Sequence, residues 1–554
     1  MASESLAETI EPTDVGLKRE LGLIGATWAS ETSIIGSGWL FAPLTAVLLV
    51  GGGAVIDWVV AGIVVIVLAL CHAELGAMYP VSGGTARFPH FAFGGLAGVG
   101  FGFFAYMQAV TIAPIECYAF VTYAAYYWPS LYNVKEGKIT GAGLWVTVGL
   151  MAVFTAVNFL AMRQFARVNN TITWWKVAVP VFTIIVLLFQ FHPSNFTAGG
   201  AGFAPGGIRG LTAALPLAGI IFAYSGFEQC DQLAGEIKNP GRNLPRAIII
   251  SVLIGTVIYT LLQVAFIGAI PPHDIPKGGL LHITNPLIIE GPFAGVAALA
   301  GLAWLAHILR VDAFISPSGT GLIYTTGTSR ISYGLARNRY APQMFDRVNG
   351  NGVPWVGLIF AFLIGLLFLL PFPSWQSIVG IITGASVLMY AGAPLSVGSF
   401  RRQVPDANRP YRMPGAVWLA PVAFIIADLL IYWSGFIVIW KLGIVLVIGY
   451  VVLGLSMAFD KQRPPLDWKN GIWLPVWLLG LGIISWQGQY PGSHATLPPL
   501  PTGRIPFWWD MVVVAVFSVV IYYWAMYSRL PRQQMLDLVE RQAGEGPEEA
   551  TVGG

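Results

Sequence analysis

Two short stretches put polar chemistry where an apolar membrane helix has no use for it. Ile34-Ile35-Gly36-Ser37-Gly38 interrupts the first long apolar run, and Ala223-Tyr224-Ser225-Gly226-Phe227-Glu228 interrupts the sixth. Glycine loses more backbone entropy than other residues on becoming helical, and a broken helix frees N–H and C=O groups that hydrocarbon cannot satisfy. Such a break is tolerated only beside a cavity or a bound ligand. The restarting half presents unpaired N–H groups and a positive dipole end to a carboxylate, while the stopping half offers carbonyls to an ammonium or another cation. A single glycine pair also fits close helix packing. Two breaks at matching places in two halves of a chain point to an inverted repeat with its site near the membrane midplane.

Ionisable residues inside the apolar runs are the second group. A charge at the bilayer centre costs about 3 kcal/mol on insertion scales, so each one is a candidate for function. Lys176, in Trp174-Trp175-Lys176-Val177-Ala178-Val179-Pro180, has no sequence neighbour to pair with; it either snorkels to the cytoplasmic interface or acts in the interior, where it can release and regain a proton. Asp312 and Ser316 share a helix face at i, i+4, and an Arg310–Asp312 pair serving packing is the alternative. Glu31 precedes the first break, Glu116 lies in the third run, and both are candidate coupling carboxylates. Glu228 follows the second break, suited to accept a proton, to face a ligand or to brace the helix. His72 and Glu74 read as braces of the second run, and Asp231 as a vestibule residue. Tyr224 and Phe227 either line the pocket or pack.

The elements that must position these residues follow from composition. The chain has 554 residues, 56% hydrophobic and 10% charged, and its mean hydropathy is +0.69, which excludes an ordinary soluble domain. Fourteen spans of about 20 residues are expected near 21–45, 54–79, 96–128, 144–162, 173–191, 211–234, 244–270, 293–327, 353–370, 378–397, 417–440, 442–459, 472–486 and 507–527. With the N-terminus inside, 22 of the 30 lysines and arginines fall on the cytoplasmic side and 6 outside, with Lys176 and Arg310 within spans. Both termini are then cytoplasmic, with tails at 1–20 and 529–554. The first 20 residues lack the features of a signal peptide. A net charge of +3 implies no nucleic-acid partner, and three cysteines within apolar runs give no disulfide or metal framework.

Several motifs together resemble the amino acid–polyamine–organocation superfamily of permeases. They are Gly36-Ser37-Gly38; Ala73-Glu74-Leu75-Gly76 with Pro80 and Ser82-Gly83-Gly84; Glu236-Ile237-Lys238-Asn239-Pro240 with Arg242-Asn243 and Pro245-Arg246-Ala247-Ile248; and Ser329-Arg330 with Tyr333-Gly334-Leu335-Ala336-Arg337, followed by Pro342 and Val353-Pro354. Gly36-Ser37-Gly38-Trp39-Leu40-Phe41 further resembles the aspartate/glutamate–proton symporter branch. The resemblance implies an all-α polytopic membrane protein with a five-plus-five inverted-repeat core over 21–400, broken helices 1 and 6, and substrate between helices 1, 3, 6, 8 and 10. It also implies that Lys176 stands where sodium-coupled relatives hold a sodium ion, and that Asp312, Ser316 and Lys176 can form one proton-coupled cluster. The four spans over 401–528 match nothing in it and are expected to serve packing, lipid contact or oligomer contact.

The expected function is secondary active uptake of an amino acid, coupled to protons, across the plasma membrane. Its carboxylate would meet the N–H groups of Gly36, Ser37 and Gly38, and its ammonium the carbonyls of Ile34, Ile35, Ala223 and Tyr224. An exchanger, or a polyamine or potassium carrier with Glu31, Glu116, Glu228 and Asp312 as ligands, is the alternative. No spacing of a catalytic, metal or nucleotide site is present, so neither an enzyme nor a cofactor is implied. Glu236, Lys238, Arg242 and Arg246 facing Arg330 and Arg337 form either an inner gate or solvated topology determinants, and the segment from Arg87 to Phe93 is expected along the cytoplasmic interface.

Overall fold

A computed structural model describes residues 19–133, 138–159, 162–200, 202–369, 375–459, 465–490 and 502–544. The rest of the two tails, and the loop cations Lys18, Lys135, Lys461 and Arg463, lie outside the described residues. Helices stand at all fourteen expected places. The first is split into α1a (Leu23–Ile34) and α1b (Gly38–Val50), followed by α2 (Ala54–Met78), α3 (Gly95–Ala124), α4 (Gly141–Val157) and α5 (Met162–Leu188). The sixth is α6a (Gly207–Leu217, continuing over Ile220–Tyr224) and the single turn α6b (Gln229–Gln232), and α7 is Pro240–Ala269. Then come α8 (Pro292–Leu299, continuing over Ala303–Arg337), α9 (Trp355–Leu367), α10 (Trp375–Gln403), α11 (Ala416–Trp433), α12 (Phe436–Phe459), α13 (Trp473–Gln487), α14 (Trp509–Tyr527) and a terminal helix α15 (Arg532–Gly544). The one strand pair among the described residues, Tyr132–Asn133 with Lys138–Ile139, is a loop feature.

Helix packing follows a two-fold exchange of the first five helices with the second five. α1 packs on α6, α2 on α7 and α3 on α8. Beyond these pairs, α5 touches α1a, α7 and α8, and α10 touches α6a, α2 and α3, which is the same set with each helix replaced by its counterpart five places away. The innermost helices are also the least apolar: α8 is too polar to count among the eight segments of the described residues that are long and apolar enough to cross a bilayer on their own. From Gly319 to Ala336 every residue of α8 is buried by protein neighbours, while Trp304 and Val311 nearer its start are exposed.

Four expectations need correction. The short helix Gly84–Phe93 does not lie on an interface; every residue in it is buried, and Arg87 is accommodated by the Ser82 carbonyl at 3.3 Å and the ring of Phe91. The turn between α11 and α12 falls at Ser434-Gly435, not Lys441, because Gly435 supplies the left-handed φ of 86° that the reversal needs. α6a carries a second interruption at Ala218-Gly219, ahead of the expected break. α8 runs ten residues past its expected end at Gly327, to Arg337. The additional helices pack on the core: α11 lies against α10, α2 and α6a, and α12 against α3.

Candidate functional site

The two broken helices cross backbone against backbone. A Cβ on Gly226 would lie 2.5 Å from Ser33 Cβ, and one on Gly38 would lie 2.8 Å from Ala223 Cα. Each break thus rests on the partner helix just before its own break, a reciprocal contact that only glycine permits. Gly226 also holds φ 132°, a region closed to other side chains without strain. Ser30 Oγ donates to the Phe227 carbonyl at 3.2 Å and stitches α1a to the second break.

At the first break the backbone groups are divided between a lysine and a carboxylate. Lys176 is fully buried, and its ammonium donates to the Thr32 carbonyl at 2.5 Å and to Thr320 Oγ1 at 2.8 Å. Snorkelling is therefore not its role. On the other side, Glu116 Oε2 accepts the Ser37 N–H at 2.9 Å, while Glu116 Oε1 has no partner. Gly36 lies between the two groups: a Cβ there would stand 2.7 Å from Thr320 Oγ1 and 2.8 Å from Glu116 Oε1. Both carboxylate oxygens of buried Glu31 lack partners. Asp312 Oδ1 accepts from Ser316 Oγ at 2.8 Å and from Trp175 Nε1 at 2.9 Å, with Oδ2 unpartnered. Glu116, Asp312 and Glu31 all bear electrostatically on the Lys176 ammonium. Arg310 is elsewhere, 3.5 Å above the Tyr126 ring, so the Arg310–Asp312 pairing is not formed.

Glu228 belongs to a different network. Its Oε1 accepts from Gln108 Nε2 (3.1 Å) and Tyr324 OH (3.0 Å), and its Oε2 from Gly226 N–H (2.8 Å) and Tyr390 OH (2.9 Å). Four donors on two oxygens are the pattern of a carboxylate fixed as a brace, tying α3, α6, α8 and α10 below the break. Deeper still, Arg330 pairs with Glu236 at 3.1 Å, both buried, while Lys238, Arg242 and Arg246 stay exposed. His72 pairs with Asp231 at 2.7 Å, and Glu74 holds Arg401 at 2.6 Å and the Met413 N–H at 2.7 Å.

The opposite side is closed by Trp375. Its Nε1–H donates to Ser37 Oγ at 2.9 Å, and its ring stacks on Phe41 at 5.1 Å and meets Phe222 edge-on at 5.7 Å. Both breaks are thus sealed from either face. Several groups expected to meet a ligand already have partners in this closed arrangement: Ser37 N–H has Glu116, and the Ile34 carbonyl accepts from Tyr259 OH at 2.6 Å. The Ile35 carbonyl accepts from Thr320 Oγ1 at 3.4 Å. Ser225 Oγ reaches the Ile221 carbonyl at 3.4 Å. Tyr224 turns away, donating to the Trp58 carbonyl at 2.8 Å, and Phe227 packs on Tyr390 and His72. Residues that the sequence reading did not single out are Thr32, Gln108, Trp175, Thr320, Tyr324, Trp375 and Tyr390. The hydroxyl-rich run from Ser316 to Ser329 was the available signal for Thr320 and Tyr324.

Fold and site together define a polytopic helical permease whose binding groups lie on interrupted helices. The chain belongs to the amino acid permease family, whose profile matches residues 21–453. It is 35% identical to the glutamate/serine transporter AimA of Bacillus subtilis over 97% of this chain and 99% of that protein. It is 36% identical to the aspartate-proton symporter of the same bacterium, over 90% and 94% of the two chains. A branched-chain amino acid permease, BcaP, is 26% identical over 81% and 96%. The protein is accordingly a multi-pass membrane protein of amino-acid transport and not an enzyme. The family match runs through α11 and most of α12, so the expectation that nothing beyond residue 400 resembles the family is corrected, and α13 and α14 are covered by the AimA match.

Proposed function

We propose that this permease imports a small or acidic amino acid together with a proton, by alternating access around the paired breaks, in a plasma membrane with both termini cytoplasmic. The observation that carries the reading is Lys176. A cation buried at the end of α1a, with its ammonium on the Thr32 carbonyl, fills the place where carbonyls of a broken helix would otherwise hold a metal cation. A lysine there can give up a proton and take it back, which a bound sodium ion cannot.

Glu116 supplies the link to substrate. Its carboxylate already sits on the Ser37 N–H that a substrate carboxylate would use. Two ionised carboxylates do not share one small set of donors. A proton passed to Glu116, from solvent or from Lys176 across Gly36, frees the Ser37 N–H for the substrate, and the carboxylates of Glu31 and of Asp312, the latter held by Ser316, supply further proton acceptors at the same break. Glu228 serves as the fixed brace of α6. The names of the two Bacillus relatives favour aspartate, glutamate and serine as first substrates to test.

The test is uptake of labelled aspartate, glutamate and serine into proteoliposomes, with a polyamine and potassium as controls. Uptake of one amino-acid class that rises with an inside-alkaline pH gradient is expected, and Lys176→Ala is expected to abolish that stimulation. Proton-driven uptake that survives Lys176→Ala would remove the lysine from the mechanism.

A further inference from the structure

A cavity of about 690 Å³ lies far from the paired breaks, on the face that the charge asymmetry assigns to the cytoplasm. Its walls come from the end of α2, the start of α7, the loop after α10 and the terminal helix α15. Three guanidinium side chains line it: Arg19 ahead of α1a, and Arg242 and Arg246 on α7. Among the described residues, no aspartate or glutamate does. The contrast with neighbouring arginines is informative. Arg330 is paired with Glu236, and Arg401 and Arg409 are both paired with Glu74. Among the described residues, no carboxylate pairs with Arg19, Arg242 or Arg246.

Their placement is also unfavourable as it stands. Arg242 and Arg246 are one turn apart at the start of α7, where like charges repel and the helix dipole is positive, and the first turn of α7 has neither an acidic residue nor a side-chain cap. A topological role requires only that positive charge lie on this face. It does not require three guanidiniums from two chain segments to converge on one concavity, whose volume is within the range of about 300–1,000 Å³ usual for small-molecule sites. The remaining lining, which includes Tyr79, Tyr411 and Leu536 and Val539 of α15, is suited to an organic moiety.

We propose that this cavity binds a phosphorylated anion, with Arg19, Arg242 and Arg246 on its phosphate oxygens in the forked geometry guanidinium groups favour. The phosphate comes either from the headgroup of an anionic lipid or from a free polyphosphate of nucleotide size. Either source would join the end of α2 and the start of α7 to α15, and so connect the transport core to the C-terminal helix. The proposal stands whether or not the proton-coupled reading of the breaks is correct.

Thermal unfolding of the full-length protein in neutral detergent tests it, with inorganic triphosphate and short-chain phosphatidylglycerol as separate probes and short-chain phosphatidylcholine as the blank. A saturable rise in Tm of several degrees is expected with at least one probe, and the responding probe identifies the source. Arg242→Ala/Arg246→Ala is expected to abolish the rise, whereas Arg347→Ala/Lys469→Ala, which removes equal charge from exposed positions on the same face, retains it. No rise with either probe, or a rise that persists in Arg242→Ala/Arg246→Ala, overturns the proposal. Amino-acid stabilisation measured on the same samples separates this result from the fate of the transport reading.

Discussion

Lys176 and Glu116 hold the backbone on the two sides of the first break. The ammonium holds Thr32 at the end of α1a, the carboxylate holds Ser37 ahead of α1b, and Gly36 leaves the gap between them open. Glu116→Gln keeps an oxygen on the Ser37 N–H but can neither ionise nor accept a proton. This variant is expected to bind amino acid still, but with uptake indifferent to an imposed pH gradient. The pH dependence of its substrate affinity should flatten from roughly tenfold per pH unit, about 1.4 kcal/mol, toward zero. Binding titrations at two pH values check this; an unchanged slope contradicts it. Lys176, Glu116, Asp312 and Ser316 were legible in the sequence because an ionisable group in an apolar run is costly enough to need a reason. Thr320, Gln108, Tyr390 and Trp375 were not, because an uncharged side chain inside a membrane helix costs little, and only the tertiary arrangement brings these four to the breaks.

The broken helices work as a pair. Gly226 lies on Ser33, Gly38 lies on Ala223, and the network on Glu228 holds the second break against α3, α8 and α10. Gly226→Ala puts a Cβ into Ser33 and forces an unfavourable φ, at a cost of about 1–3 kcal/mol from backbone strain alone. The expected outcome is a lower Tm together with loss of transport, measured on the purified protein and in vesicles; unchanged values would mean that the breaks do not press together. Glycine, serine and a carboxylate in mid-run made both breaks readable. The interruption at Gly219 and the turn at Gly435 were less visible, since a lone glycine in a membrane helix is usually a packing residue. The direction of Tyr224 was likewise hidden: its aromatic type fits a pocket wall as well as it fits the contact it makes with Trp58 and Tyr259.

Over the whole molecule, the division of loop charges and the exchange of α1–α5 with α6–α10 support one another, although they arise from unrelated physics. The charge division depends on insertion into a membrane; the exchange depends on how helices pack. Because hydropathy alone places the helices, their number and order were legible without any contact. The placement of Gly84–Phe93 was not, because a short helix with arginine and histidine reads as interfacial until the protein is seen to close over it. The attachment of the later helices was hidden too: Tyr490 OH meets Thr212 Oγ1 at 2.5 Å and Gln489 meets Arg209 at 2.8 Å, so the connection after α13 holds the outer part of α6a.

On the proposed reading, Lys176 and Glu116 at one break bring a proton in with the substrate, and the pH inside sealed proteoliposomes measures that entry directly. With a pH-sensitive dye trapped inside and no initial gradient, adding aspartate, glutamate or serine outside should acidify the interior, while Lys176→Ala and Glu116→Gln should give no signal. Accumulation of labelled amino acid by the wild-type protein with no accompanying acidification would contradict proton-coupled import.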